Sequence, residues 1–159
     1  MSHASITEKI LLLKERFKKT SSPKEISLEI MSFSKTLPPM LEELKTLENK
    51  VQGCQSSTYV LGKLNNEGLL YFQADSDALI SRGIAAILVF IYSEQKPEDI
   101  IQAPPEFLKE LGILSSLSPS RANGLISLFS KMKFTAIKNL QDSELYNKNS
   151  QAKKSHQKH

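Results

Sequence analysis

The sequence predicts an α+β fold, in which a small antiparallel sheet packs against helices. Apolar residues recur at helical spacing before about position 40 and again beyond the middle of the chain. Between these parts lie two β-prone runs, at residues 59–64 and 69–74, and the Asn65-Asn66-Glu67-Gly68 segment that separates them has the composition of a hairpin turn. Helices, then a hairpin, then helices is an order typical of α+β domains and not of a doubly wound parallel sheet.

Two helices before the hairpin are marked by their N-terminal caps. Ser5 and Glu8 can form a capping box at the start of a first amphipathic helix. A second start is clearer, because Ser22 provides a cap, Pro23 takes the first helical position and Glu25 can close the box. Each start is followed by apolar residues at helical spacing, so we expect both helices to bury one face.

The chain on either side of the hairpin predicts further helices. After the second helix, a short helix is expected over residues 40–48. After the hairpin, Asp75, Ser76 and Asp77 offer capping side chains for a helix with a broad apolar face. The apolar residues of that face are Ile80, Ile84, Ile87, Leu88 and Ile91. This helix is expected to be the central, buried one.

Prolines divide the C-terminal third into helices. Pro97 and the pair Pro104-Pro105 bound short helical segments. The last helix is expected to open at Ser118-Pro119 and to end near Asn139. Its predicted inward-facing residues are Leu125, Leu128, Phe129 and Met132.

Length and charge indicate one domain, residues 1–146, followed by a basic, disordered tail, residues 147–159. The tail holds four lysines and no acids, which accounts for the excess of 21 basic over 17 acidic residues, so the body of the chain is neutral. A neutral body argues against nucleic-acid binding. The longest strongly apolar run, residues 84–91, is too short to span a bilayer, and a cytoplasmic protein with no membrane association is predicted.

One residue raises a chemical question, because Cys54 is the single cysteine of the chain. It cannot form an internal disulfide, and one thiol cannot hold a zinc ion or a cluster alone. The histidines, His3, His156 and His159, lie close to the termini, which disfavours an ordered Cys–His pair. A cysteine is often a small buried apolar residue, and its chemistry alone leaves this interpretation as open as a reactive thiol.

The surroundings of Cys54 favour a loop tip. Gly53 permits a sharp turn, and Gln55 and Ser56 are polar neighbours unlike those of a core strand. Asp75 and Asp77 form a carboxylate pair nearby, for which helix capping is a better explanation than acid–base catalysis.

Three sequence blocks, GCQS at Cys54, DSDA with the following RG, and LSPSRANGL, occur in order over about residues 37–140. With these blocks the chain resembles the SufE/CsdE family of sulfur-acceptor proteins. The resemblance implies the SufE/IscU-like fold and a persulfide carried on Cys54. The sulfur would come from a SufS-type cysteine desulfurase, which the protein stimulates, and would pass to an iron–sulfur cluster scaffold.

The resemblance also describes the protein as a whole. It implies a sulfurtransferase-type accessory protein that performs transpersulfidation and is not a free-standing enzyme. No cofactor of its own is expected, since pyridoxal phosphate belongs to the partner desulfurase, and the expected state is a monomer or weak homodimer. In the free protein, we expect the Cys54 side chain to fold back against apolar neighbours, because an exposed persulfide is easily lost.

Four further residues are candidates for supporting roles. We hypothesise that Arg121 lies near the Cys54 loop, where it favours the thiolate or binds the partner. The alternative is an ordinary surface arginine or one paired with Asp75 or Asp77. By the resemblance, Asp75, Asp77 and Arg82 are neighbours of the loop with a structural or partner-docking role, and capping and surface charge are the simpler explanation.

Two other functions stay open at the level of sequence. An iron–sulfur scaffold would need ligands from outside this chain, because Cys54 is the only thiol. A helical adaptor would carry Cys54 incidentally and would keep its activity in the Cys54→Ser variant.

Overall fold

A computed structural model describes residues 3–157 and has the predicted α+β architecture. Two strands, β1 (Thr58–Leu64) and β2 (Leu70–Ser76), form one antiparallel hairpin. The helices are α1 (Ile6–Phe17), α2 (Pro23–Phe33), α3 (Leu79–Tyr92), α4 (Pro97–Ile101), α5 (Phe107–Glu110) and α6 (Pro119–Gln157). Short 3₁₀ turns lie at Ser34–Thr36, Glu42–Leu44 and Leu114–Ser116.

The hairpin turn is organised by one side chain. Asn65 Oδ1 accepts hydrogen bonds from the backbone N–H of Glu67 and of Leu69, each at 2.9 Å. Gly68 then takes a φ of +81°, a conformation that glycine adopts without strain. This turn sets the register, in which Val60 faces Ala74, and confirms the hairpin predicted from the sequence.

The core is built around α3, as predicted. Ile84, Ile87, Leu88 and Ile91 are buried, and Ile80 packs against them partly exposed. Helix α2 crosses α3 so closely at Gly83 that a β-carbon there would lie 2.1 Å from the carbonyl oxygen of Ile30. Helix α6 closes the core with the residues expected from its spacing, Leu125, Leu128, Phe129 and Met132.

Both predicted N-terminal caps are present. Ser5 Oγ accepts from the N–H of Glu8 at 3.1 Å, and Ser22 Oγ accepts from the N–H of Glu25 at 3.2 Å. Glu25 does not return the bond to Ser22: its Oε2 accepts from the N–H of Ser21 at 2.6 Å instead. The box therefore closes one residue before the cap.

The predicted helix over residues 40–48 is wrong. This segment contains only the 3₁₀ turn Glu42–Leu44, and Leu41 and Leu47 are 61% and 82% exposed. A segment of this length is not a stable helix by itself, and of its apolar residues Met40 is buried whereas Leu41 and Leu47 are not, so no continuous apolar face stabilises it.

The predicted caps of α3 are also wrong. Ala78 occupies the N-cap position and makes no side-chain cap bond, because β2 continues through Asp75 and Ser76. Ser76 pairs with Thr58 in the ladder, two residues beyond the predicted end of the strand. The carboxylates of Asp75 and Asp77 are thus directed to other partners, described below.

Helix α6 extends well beyond its predicted end near Asn139 and reaches Gln157. From Leu125 to Gln157 the sequence has neither glycine nor proline to stop it. The structure therefore differs from the predicted disordered tail, since residues 147–157 are helical, and residues 158–159 lie outside the described part. Beyond Ala136, none of the side chains that the structure describes is buried. The division of the chain into a domain and a tail stays a prediction.

Candidate functional site

Cys54 lies in the loop that leads into β1, and both sides of this loop are anchored by the sheet. Val51 donates its N–H to the carbonyl of Thr58 at 2.8 Å. On the far side, Asp77 Oδ1 accepts from the N–H of Ser57 at 3.0 Å. These bonds leave residues 52–56 as a short projecting loop whose base is fixed.

Gly53 is required by the shape of this loop. Its φ is +86°, in the left-handed region that side chains rarely adopt. A β-carbon at position 53 would also lie 3.0 Å from Ser127 Oγ on α6. The sharp turn expected beside the cysteine is therefore confirmed, and it brings the loop against α6.

The Cys54 thiol turns inward and is partly buried. Its Sγ lies 3.5 Å from the carbonyl oxygen of Gly124, to which the S–H donates. It lines a cavity of about 20 Å³, large enough for about one water molecule, whose apolar wall comprises Ile84, Leu125 and Leu128. This arrangement agrees with the inward-folded cysteine expected for the free protein.

Burial raises the pKa of the Cys54 thiol above its ordinary value, and a hydrogen bond with Thr58 acts in the opposite direction with smaller effect. Removing the thiol from water disfavours its charged form, which explains the direction. In this conformation burial therefore favours the protonated thiol over the thiolate. The thiolate is the nucleophilic form of cysteine, so the inward position disfavours the reactive form.

The polar wall of the same cavity joins the loop to Arg121. Arg121 Nη1 donates to Ser81 Oγ at 2.9 Å, and Ser56 Oγ donates to the same oxygen at 2.9 Å. Ser56 in turn contacts Thr58 Oγ1 at 3.2 Å. Three elements, the Cys54 loop, α3 and α6, therefore meet at one serine hydroxyl.

Arg121 is near the Cys54 loop, as hypothesised, and lines the cavity together with the thiol. Within residues 3–157 no ion pair joins it to Asp75 or Asp77, so the alternative pairing is not found. Burial has the largest effect on the pKa of Cys54. The effect that opposes it in this conformation comes from Thr58 and not from Arg121.

Asp75 and Arg82 form an internal tether. Arg82 pairs with Asp75, donates its Nε to the Ser34 carbonyl at 3.1 Å and donates its Nη2 to the Leu37 carbonyl at 2.8 Å. Lys45 lies 3.4 Å from the other Asp75 oxygen. Arg82, which lies on α3, thus connects Asp75 of β2 with the backbone that follows α2. It is a structural residue and not a simple surface charge.

Gln55, which follows the thiol in sequence, and Asp77 are both exposed. Asp77 also holds the loop through Ser57, as described above, whereas Gln55 lines the cavity together with Cys54. Together with Lys45, Ser57 and Tyr59, Asp77 lines a shallow depression of about 200 Å³ next to the loop.

Two residues of the site were missed from the sequence: Ser81 and Gly124. Gly124 lies one helical turn after Arg121 in the LSPSRANGL block, and this spacing was a signal that both face the same side. Ser81 lies between the apolar positions 80 and 84, and no sequence pattern marks it. In the described part of the chain, no three His, Cys, Asp or Glu residues are grouped as they would be to hold a metal ion. Nor is any helix there long and apolar enough to cross a membrane.

The fold and site define a small α+β protein whose one thiol is sheltered on a loop beside an arginine. Comparison with known proteins gives the family. The model of the SufE Fe-S metabolism associated domain matches residues 12–136, and the chain belongs to the SufE family. This confirms the resemblance seen in the three sequence blocks.

Relatives and a solved structure agree with this assignment. The chain is 36% identical over 137 residues to an uncharacterized SufE-like protein of Synechocystis sp., covering 86% of each chain. It is 36% identical over 121 residues to a chloroplastic/mitochondrial SufE-like protein of Arabidopsis thaliana, covering 76% of this chain and 33% of the plant protein. The solution structure of a hypothetical protein from Thermus thermophilus has the same fold, with a TM-score of 0.70, 21% identity and coverage of 84% and 96% of the two chains.

Proposed function

We propose that this protein accepts the outer sulfur of a cysteine persulfide onto Cys54 and carries it to an iron–sulfur cluster scaffold. The observation that carries the proposal is the thiol itself, which lies on an anchored loop with its sulfur turned against the Gly124 carbonyl. Membership of the SufE family, which is associated with Fe-S metabolism, supports the metabolic context. The donor is a SufS-type cysteine desulfurase.

The reaction is an exchange between sulfur atoms without net oxidation. The Cys54 thiolate attacks the outer sulfur of the partner's Cys–S–SH group, a bond forms between the two sulfurs, and the partner's S–S bond breaks. The partner cysteine leaves as a thiolate, and Cys54 becomes Cys54–S–SH. The proton that Cys54 loses on ionisation is available to the leaving thiolate.

Attack requires the thiol to leave its inward position. Gly53, next to the thiol, has no side chain to hinder a change of backbone conformation, and the bonds of Val51 and Asp77 hold the base of the loop, so the tip is the part that would move. Gln55, next to Cys54, and Asp77, bonded to Ser57 at the base of the loop, are exposed, so both are available for contact with the desulfurase. Stimulation of the desulfurase is part of the same proposal.

The test is the intact mass of the protein after anaerobic incubation with a SufS-type desulfurase and L-cysteine. The native chain is expected to gain sulfur that a reductant removes, whereas Cys54→Ser gains none. Gln52→Ala, which changes an exposed side chain of the same loop and keeps the thiol, is the matched control for damage to the loop. No gain on the native chain, with a desulfurase shown to be active, would contradict the proposal and favour the adaptor function.

The site of action in the cell belongs to this proposal. The sequence predicts the cytoplasm, whereas one relative carries a chloroplastic/mitochondrial name. Localisation of a tagged full-length protein in its own organism would distinguish these compartments.

A further inference from the structure

Ser81 connects the thiol loop to the arginine beside it. Its Oγ accepts one hydrogen bond from Arg121 Nη1 and one from Ser56 Oγ, each at 2.9 Å. Ser56 and Ser81 lie 25 residues apart in sequence, and Arg121 lies another 40 residues further on. This single hydroxyl is thus the point at which α6, α3 and the loop are joined.

Arg121 depends on this contact for its position. It lies in the first part of α6, a long side chain with many rotamers that would otherwise extend into solvent. Its backbone N–H is bonded to Ser118 Oγ at 3.3 Å, which fixes the helix start but not the guanidinium. The contact with Ser81 keeps the guanidinium at the rim of the cavity that Cys54 lines.

We propose that Ser81 is a positioning residue that holds the Arg121 guanidinium at the Cys54 loop, so that the thiolate forms beside a fixed positive charge when the loop opens. A nearby guanidinium favours a thiolate. This inference deepens the proposed function and rests on it, because a sulfur acceptor must ionise before it attacks.

The other charged groups around the loop have different partners. Arg121 is the charged residue among those lining the cavity within the described part of the chain. Asp77 accepts from the Ser57 N–H, and Arg82, the residue after Ser81, is turned to Asp75 and two backbone carbonyls. Arg121 is therefore the cation available to the thiolate.

The test is the pH profile of Cys54 alkylation by iodoacetamide in the free protein. In Ser81→Ala we expect the alkylation rate at neutral pH to fall by on the order of threefold to tenfold, with the midpoint of the profile moved to higher pH. Ser81→Thr keeps the hydroxyl and is expected to restore both. Arg121→Ala is expected to show the same loss, and Ser81→Ala should add nothing to it in the double variant.

A matched control is available on α2. Ser32 Oγ also accepts a hydrogen bond from an arginine, Arg16 Nη2 at 3.3 Å, but it is exposed and lies on a different helix. Ser32→Ala is expected to leave the profile of Cys54 unchanged.

Two results would overturn the proposal. If Ser81 only latches the loop through Ser56, Ser81→Ala will raise the alkylation rate at every pH without moving the midpoint. If the effects of Ser81→Ala and Arg121→Ala simply add, Ser81 does not act through Arg121. Because no desulfurase is present, these results are independent of whether Cys54 accepts sulfur, which the mass measurement decides.

Discussion

The sulfur of Cys54 and the backbone of Gly124 are in direct contact across 70 residues of sequence, with Sγ 3.5 Å from the Gly124 carbonyl oxygen. A β-carbon on residue 124 would lie 3.1 Å from the same sulfur, tighter than ordinary van der Waals contact. The absence of a side chain at this position of α6 is therefore what lets the thiol turn inward.

Gly124→Ala is expected to push the thiol outward while leaving the fold intact. Alanine gains about 1 kcal/mol over glycine in a helix, which offsets much of the crowding. We expect Cys54 alkylation to become faster by roughly fivefold. This factor corresponds to a loss of about 1 kcal/mol in the free energy that favours the inward position of the thiol. The measurement is the rate of alkylation at neutral pH beside a thermal unfolding curve.

Asn123→Ala is the control, since Asn123 precedes Gly124 on the same helix and is exposed. Its alkylation rate should equal that of the native chain. An unchanged rate in Gly124→Ala would show that the sulfur does not depend on this contact for its position.

Gly53→Ala is expected to lower the free energy of unfolding, because residue 53 holds a φ of +86° and a β-carbon there would lie 3.0 Å from Ser127 Oγ. The left-handed conformation alone costs about 1–2 kcal/mol for a residue with a side chain. Denaturant unfolding measures the loss.

Gly68→Ala separates the cost of the left-handed backbone conformation from the cost of the contact with Ser127. Its φ is +81° but a β-carbon there would meet nothing within 4 Å, so it carries the conformational cost alone. The excess loss in Gly53→Ala should disappear when Ser127→Ala is added. Equal losses at positions 53 and 68 would mean that the contact with Ser127 contributes nothing.

Much of the fold follows from local sequence patterns. Ser5 and Ser22 cap their helices through hydrogen bonds to residues three positions later, and Asn65 bonds within its own turn. These features are therefore predictable from neighbouring residues. The segment at residues 40–48 was not predictable in the same way, because its helix would have needed a burial partner that only the tertiary structure could supply.

The residues of the site also differ in how far the sequence predicts them. Cys54 and Gly53 are adjacent, so one short sequence segment identifies both. Ser81 and Gly124 contact the loop from positions that lie 25 and 70 residues away in sequence from Ser56 and Cys54. Neither residue type indicates a functional role by itself. Asp75 was predicted as a cap from its place before a helix, whereas its role depends on Arg82 reaching back to it.

Arg82→Ala is expected to destabilise the fold strongly. It leaves the Asp75 carboxylate, whose side chain is 11% exposed, without its arginine, and it leaves two carbonyls, those of Ser34 and Leu37, without a donor. Because Lys45 still pairs with Asp75, the carboxylate is not left without a cation, and we expect a loss of about 2 kcal/mol from the missing ion pair and the two missing hydrogen bonds. Denaturant unfolding of the full chain gives this value.

Arg82→Lys should recover only part of the loss, because one ammonium group cannot reach three separated acceptors in a planar fork. Lys18→Ala is the control: its pair with Glu15 is 4.0 Å long and exposed on both sides, and it should change stability by less than about 0.5 kcal/mol. A loss for Arg82→Ala as small as this would refute the tether.

The pH dependence of stability should carry a contribution from Cys54 that Cys54→Ser lacks. Burial raises the pKa of this thiol in the folded protein. As pH rises through the ordinary thiol pKa of about 8.5, the unfolded chain loses the proton first and the folded chain keeps it. The contribution of Cys54 to the free energy of unfolding is therefore fully present below the ordinary thiol pKa. It is lost as the pH rises through the raised pKa of the folded protein.

The quantity to measure is the difference in unfolding free energy between the native chain and Cys54→Ser, from about pH 7 to about pH 10. Lys9, whose pKa burial lowers, and Tyr92, whose pKa burial raises, are present in both proteins, so their contributions cancel in the difference. We expect the native chain to lose its advantage steadily above the ordinary thiol pKa. Cys54→Ala should give the same slope, since alanine does not titrate either. A difference that stays constant over this range would mean that the thiol is as well solvated in the folded protein as in the unfolded chain, and the inward position of Cys54 would then be wrong.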